Sequence, residues 1–117
     1  MEQVYAFVGI RKDDGSTAVL LVDKDRKILG RLRTYEQVYK HSTTFDWGYF
    51  GSGPAQLALA MCCEVLGVGA GSLPAIYQRF KSEFISDLPY DTWEVYARDV
   101  RSFFRGYRKK EAEGILA

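Results

Sequence analysis

Residues Ala55 to Leu66 read AQLALAMCCEVL, and only Gln56 and Glu64 among them are strongly polar. A helix of that pattern is apolar around most of its circumference, so other elements must enclose it on nearly every side. With Pro54 it runs about 13 residues, short of the ~20 needed to cross a bilayer. The rest of the chain therefore has to be assembled around a buried central helix. Gly53-Pro54 marks its start as N-cap and first helical residue, since proline has no N–H to lose there and its φ is already near the helical value. Gln56 falls at the third helical position, where its amide is expected to reach back to the cap. Gly67, with Gly69 and Gly71 behind it, supplies the stop.

In front of the helix lies an aromatic run, Phe45-Asp46-Trp47-Gly48-Tyr49-Phe50, closed by Gly51-Ser52-Gly53. Glycines spread through such a run mark a turn or a close approach of backbone that a Cβ would obstruct. Upstream, Gln3 to Lys12 carries Val4, Ala6, Val8 and Ile10 on one parity and Tyr5 and Phe7 on the other, the pattern of a strand covered on both sides. A polar turn over Lys12 to Ser16 leads to a second strand over Ala18 to Asp23. A tight link through Arg26 leads to a third over Lys27 to Leu32. Links this short join strands in an antiparallel meander. Thr34 to His41 fits a short helix and an extended segment equally, and His41 to Thr44 is a polar loop.

Downstream, Ser72-Leu73-Pro74 opens a second helix whose Ile76, Phe80, Phe84 and Leu88 recur every four residues, ending before Pro89. Asp91 to Tyr96 reads either as a short extended piece or as the first turn of the next helix. From Ala97, Val100, Phe103, Phe104 and Tyr107 form an apolar stripe at helical spacing. The expected fold is α+β, a single domain over residues 1–117, with a three-stranded antiparallel sheet packed on the buried central helix and two amphipathic helices completing the core.

Composition excludes several classes. Among 117 residues, 47% are apolar and 15% aromatic, far from a disordered composition. Sixteen basic residues against fifteen acidic ones leave no global field to draw nucleic acid or an anionic membrane. No charged-then-apolar leader or long apolar run is present, so a cytoplasmic protein is expected, in the host cytoplasm if the source is viral. Cys62 and Cys63 are adjacent, and on a helix their side chains diverge, which rules out a mutual disulfide and marks them as small core residues.

The candidate chemistry is sparse. Gly51-Ser52-Gly53 precedes a helix start, as phosphate loops do, but lacks the dinucleotide and Walker patterns, and a proline in the first turn removes a donor. His41, the only histidine, stands beside Ser42 with no nucleophile-elbow pattern, so this polar pair reads as loop capping. One histidine and one adjacent cysteine pair do not have metal-ligand spacing. No catalytic residue, cofactor or metal is expected. Two surface features remain. Phe45, Asp46, Trp47, Tyr49, Phe50 and Ser52 form a candidate interaction loop, since aromatic residues near arginine are the stuff of binding hot spots. Arg98, Arg101, Arg105, Arg108, Lys109 and Lys110 form a candidate basic patch, a surplus of three charges over Asp99, Glu111 and Glu113.

The run His41-Ser42, then Phe45-Asp46-Trp47-Gly48-Tyr49, then Gly51-Ser52-Gly53-Pro54-Ala55-Gln56-Leu57-Ala58 resembles a family of small proteins of unknown function from bacteria, archaea, phages and plasmids. The chain differs from the family's usual pattern at Phe50, where a small residue is common. The resemblance implies an accessory or host-interaction role linked to mobile elements, and no activity. The leading expectation is thus a small non-enzymatic interaction protein, carried by a mobile element and acting on a host protein, with homo-oligomerisation open to it and no membrane partner. Nucleic-acid binding through the basic patch is the second reading. A small-ligand site or enzyme at the aromatic and glycine loop is the third.

Overall fold

The computed structural model describes residues 3–114. β1 (Ala6–Arg11), β2 (Thr17–Val22) and β3 (Ile28–Arg31) form the expected antiparallel meander. The links are built from local side-chain caps. Asp14 Oδ1 accepts the Ser16 backbone N–H, and Asp23 Oδ1 accepts those of Asp25 and Lys27, the aspartate turns that favour this residue type between strands.

The sheet has four strands, not three. β4 (Thr92–Tyr96) pairs antiparallel with β1, giving the order β3-β2-β1-β4. Two physical reasons hid it. Its partner is some eighty residues earlier, so no short link announces the pairing, and it runs straight into α4 (Ala97–Ala112) with no turn between them. Tyr96 is both the last strand residue and the helix cap, and Asp99 Oδ2 accepts its backbone N–H at 3.3 Å.

Alternation divides the sheet into two faces. Phe7, Val19, Trp93 and Val95 join one continuous core with Leu57 to Cys63 of α1 (Ser52–Leu66). Gly9 lies between Val19 and Trp93 on that face, and a Cβ there would sit 2.1 Å from the Trp93 ring, so the glycine makes room for the indole.

α1 is buried continuously from Gly53 to Cys63. It starts two residues earlier than expected: Gly51 is the cap, and its carbonyl accepts the Ala55 N–H at 3.0 Å. Gly53 is instead a close-approach residue, because a Cβ there would stand 2.7 Å from the Asp46 Cβ and 3.2 Å from the Asp46 backbone nitrogen. The helix stops at Gly67 as expected, with φ of 86°. A one-turn helix, α2 (Val68–Gly71), follows, and α3 (Pro74–Glu83) packs beside α1.

The helix expected to reach Leu88 breaks at Phe84. Ile85–Asp87 forms a 3₁₀ turn, and the Ile85 carbonyl accepts the Gly48 N–H at 3.0 Å. The break turns Ile85 fully inward and ties this segment to the aromatic loop. Residues 34–41 are neither helix nor strand; they are irregular around a single turn at 36–38, with Tyr35 at a φ of 58°. α4 lays Val100 in the core, with Phe103, Phe104 and Tyr107 partly buried against it.

Candidate functional site

Two side chains fix the loop in front of α1. Arg11 ends the core-facing parity of β1 and its guanidinium meets the Asp46 carboxylate at 2.7 Å, with the Arg11 side chain only 7% exposed. Burying a cation is tolerated only when it is paired and hydrogen-bonded. Arg11 meets that condition: its Nε donates to the Tyr90 carbonyl at 3.0 Å, and its guanidinium lies over the rings of Tyr90 at 4.0 Å and Trp47 at 4.9 Å. Asp46 also accepts from the Trp47 backbone N–H at 2.9 Å and from the Tyr49 hydroxyl at 3.2 Å. Burial, the largest influence on this carboxyl, pushes its pKa up; the Arg11 and Trp47 hydrogen bonds with the Arg11 charge outweigh it and leave the group lowered.

The second anchor is Gln56. Its side chain is fully buried and turned away from the cap it was expected to reach. Its Oε1 accepts the backbone N–H groups of His41 at 2.6 Å and Ser42 at 3.1 Å, and its Nε2 donates to the carbonyls of Thr34 at 2.5 Å and Tyr39 at 3.1 Å. One amide thus uses all four of its hydrogen-bonding positions to hold a loop that has no ladder of its own. His41 Nε2 lies 2.7 Å from the Tyr77 hydroxyl, and the His41 ring leans on Tyr39. Burial, then the charge of Lys81, lowers the His41 pKa, so the neutral ring is favoured. Ser42 Oγ accepts the Thr44 N–H, closing the local cap.

The candidate interaction loop divides in two. Phe45 and Trp47 face the core, and the Trp47 indole donates to the Tyr90 carbonyl at 2.9 Å. Asp46 is the partner of Arg11. Tyr49, Phe50 and Ser52 are exposed, and Tyr90, from the segment before β4, stands with Tyr49 on the rim of a shallow hollow of about 290 Å³ floored by Arg11, Asp46 and Trp47. Arg11 and Tyr90 did not stand out in the sequence. The only signal for Arg11 was parity, a charge on the same side of the strand as Phe7. Tyr90 carried none.

The basic residues of α4 also divide. Arg98, Arg101, Arg105, Arg108 and Lys109 recur at helical spacing along one side, and among the described residues none of them has an ion-pair partner. Arg98 lies over the Tyr96 ring and Arg108 over Phe104. Lys110 is on another side, where it borders a groove of about 330 Å³ between α3 and α4 with Arg79, Phe84 and Tyr107.

Among the described residues no cluster of three or more histidine, cysteine or acidic side chains is placed to hold a metal, and no helix is long and apolar enough to cross a membrane.

The architecture is that of an α+β module whose four-stranded antiparallel sheet and buried helix share one core, with a cation-braced aromatic loop at its surface. Residues 7–106 match a family of unknown function (DUF6166), and the chain belongs to that family. No curated protein and no solved structure matches it.

Proposed function

We propose that this chain is a small interaction protein whose working surface is the aromatic rim of Tyr49 and Tyr90 together with the exposed Phe50 next to it in sequence. The observation that carries this reading is their exposure, 48%, 69% and 67%, on segments whose backbones are held by the Arg11 and Asp46 hydrogen bonds and the Gly48–Ile85 bond. Aromatic side chains presented from an ordered backbone bind with little entropy left to lose, which is the condition for a hot spot. Arg11 and Asp46 serve as its frame. In this reading the protein is a non-enzymatic accessory, carried by a mobile element, that docks on a host protein through this rim.

The test is site-specific photocrosslinking from Phe50 and Tyr90 in a host extract, identification of the captured chain, and reconstitution from purified components. Phe50→Ser and Tyr90→Ser are expected to weaken the reconstituted complex at least about tenfold each, with unchanged circular dichroism showing that removal of the Tyr90 ring from above Arg11 leaves the fold in place. Unchanged affinity in both variants counts against the rim.

Nucleic-acid binding is the second reading, and the five unpaired cations on one side of α4 are what favour it. It requires affinity that falls steeply with salt, with a log–log slope that Arg101→Gln reduces by about one. Binding that is absent or indifferent to salt removes it.

A further inference from the structure

An antiparallel sheet with one face in water normally alternates apolar-in and polar-out. This sheet does not. On the face turned away from α1, β1 presents Ala6, Val8 and Ile10 and β2 presents Ala18, Leu20 and Val22, six apolar residues on the two central strands. None of the six belongs to the core built on α1. Val8, Ile10 and Leu20 are half-buried, and Ile28 at the edge is 59% exposed.

One end of this face is partly roofed. Arg26 reaches from the β2–β3 turn to Glu94 on β4 at 2.5 Å, and because β1 lies between those strands its side chain must cross the sheet near the Ala6 and Val22 pair, both buried. Tyr96, opposite Ala6 on β4, shares that end, and Ala18 at the other end is buried as well, which leaves Val8, Ile10 and Leu20 as the half-open middle of the face.

The register identifies what fits there. Arg31 pairs with Leu20, Leu20 with Val8, and Val8 with Glu94, so these four residues form one row across the sheet, all on the same face. The row reads cation, apolar, apolar, anion. A two-fold axis parallel to the strands, above the face and midway between β1 and β2, lays β3 of one copy over β4 of the other and preserves height along the strands. It sets Arg31 against Glu94 of the second copy and Leu20 against Val8 of the second copy, and repeats both by symmetry.

We propose that this face binds a second copy of the chain, forming a two-fold dimer of sheets packed face to face about 10 Å apart. Arg31 has no ionic partner of its own among the described residues, and the Glu94 carboxylate has acceptor sites for a second guanidinium beside Arg26. The patch is four strands wide, at the small end of stable interfaces, so the dimer is weak, with a dissociation constant on the order of micromolar. This proposal is independent of the aromatic rim, which lies on the other side of the sheet.

The experiment is sedimentation velocity on the full chain between about 1 and 200 µM, bracketing that constant. The wild type is expected to shift from monomer to dimer. Arg31→Glu and Glu94→Arg each place like charges in opposition twice, and each is expected to raise the dissociation constant about tenfold or more. Mixing the two variants restores both attractive pairs in a heterodimer, so the mixture is expected to dimerise where neither variant does alone. Circular dichroism unchanged in both variants separates lost association from lost fold; the melting temperature of the monomer is expected to hold in Arg31→Glu and to fall in Glu94→Arg, which loses the Arg26 bridge. A wild type that stays monomeric throughout overturns the proposal, as does a dimer indifferent to the charge reversals or a mixture that remains monomeric.

Discussion

Arg11 and Asp46 meet at 2.7 Å across thirty-five residues of chain, and this contact fastens the aromatic loop to the end of β1. Asp46→Asn keeps the shape and the bond from the Trp47 N–H but removes the charge, and is expected to cost roughly 1–2 kcal/mol at pH 7. The pH dependence follows from the direction of the shift. A carboxyl lowered on folding contributes fully above its ordinary value of 3.8, and the contribution disappears as pH falls through that value and the lower folded one. Urea unfolding followed from pH 7 down through the acid range should therefore show the full wild-type advantage above 3.8 and a shrinking one below it; a gap that stays constant across the whole range places the stabilisation elsewhere.

Gln56 is the residue whose role differs most from its position in sequence. Replacing it by Leu strands two backbone N–H groups and two carbonyls of residues 34–42 beside a buried apolar side chain. Each such group carries a penalty of about 1 kcal/mol or more, so a loss of about 4 kcal/mol or more is expected for the four together. Hydrogen exchange gives a sharper readout. The His41 and Ser42 amides should exchange far faster in the variant, while amides in the middle of α1 change only with global stability.

Much of the fold was legible where local pattern decides it. The apolar circumference of residues 55–66, the turns at Asp14 and Asp23 and the stripe of α4 all follow from short-range periodicity and turn chemistry, and all appear where expected. What was not legible depends on distant partners. β4 is a strand because β1 lies beside it, α3 breaks because Gly48 takes the Ile85 carbonyl, and Gln56 turns inward because a loop some twenty residues earlier needs four hydrogen bonds. The candidate site shows the same division. Exposed Tyr49 and Phe50 and buried Trp47 belong to one run whose composition is uniform; which side chain turns outward is settled by Arg11 and Tyr90, residues outside it.

Two helical glycines should respond in opposite directions to the same substitution. At Gly71 a Cβ would stand 2.5 Å from the Cys62 carbonyl carbon and the Cys63 nitrogen, backbone atoms that cannot step aside. Gly71→Ala is expected to push α2 off α1 at a cost of about 1–3 kcal/mol. At Gly106, within α4, nothing lies within 4 Å of a Cβ, so Gly106→Ala is expected to gain roughly 0.5–1 kcal/mol from helix propensity alone. Thermal melts of the two variants check both signs.

Cys62 and Cys63 test the core directly. Burial, then the neighbouring Cys63, raises the Cys62 thiol well beyond the ordinary range; burial, then the charge of Glu64, raises Cys63 to about 11. The thiolate is the reactive form, so at pH 8 neither should be labelled by a thiol reagent in the native protein, and both should react in denaturant. The same shifts set a sign for stability. A thiol raised on folding contributes fully below its ordinary value of 9.0, and for Cys63 that contribution is lost as pH rises from there to about 11. Tyrosines and lysines titrate in the same interval, so the measurement is a comparison: unfolding free energy should fall less steeply above pH 9 in Cys63→Ala than in the wild type. Parallel slopes, or native labelling at pH 8, mean that the thiols see water and that the end of α1 opens more readily than its packing implies.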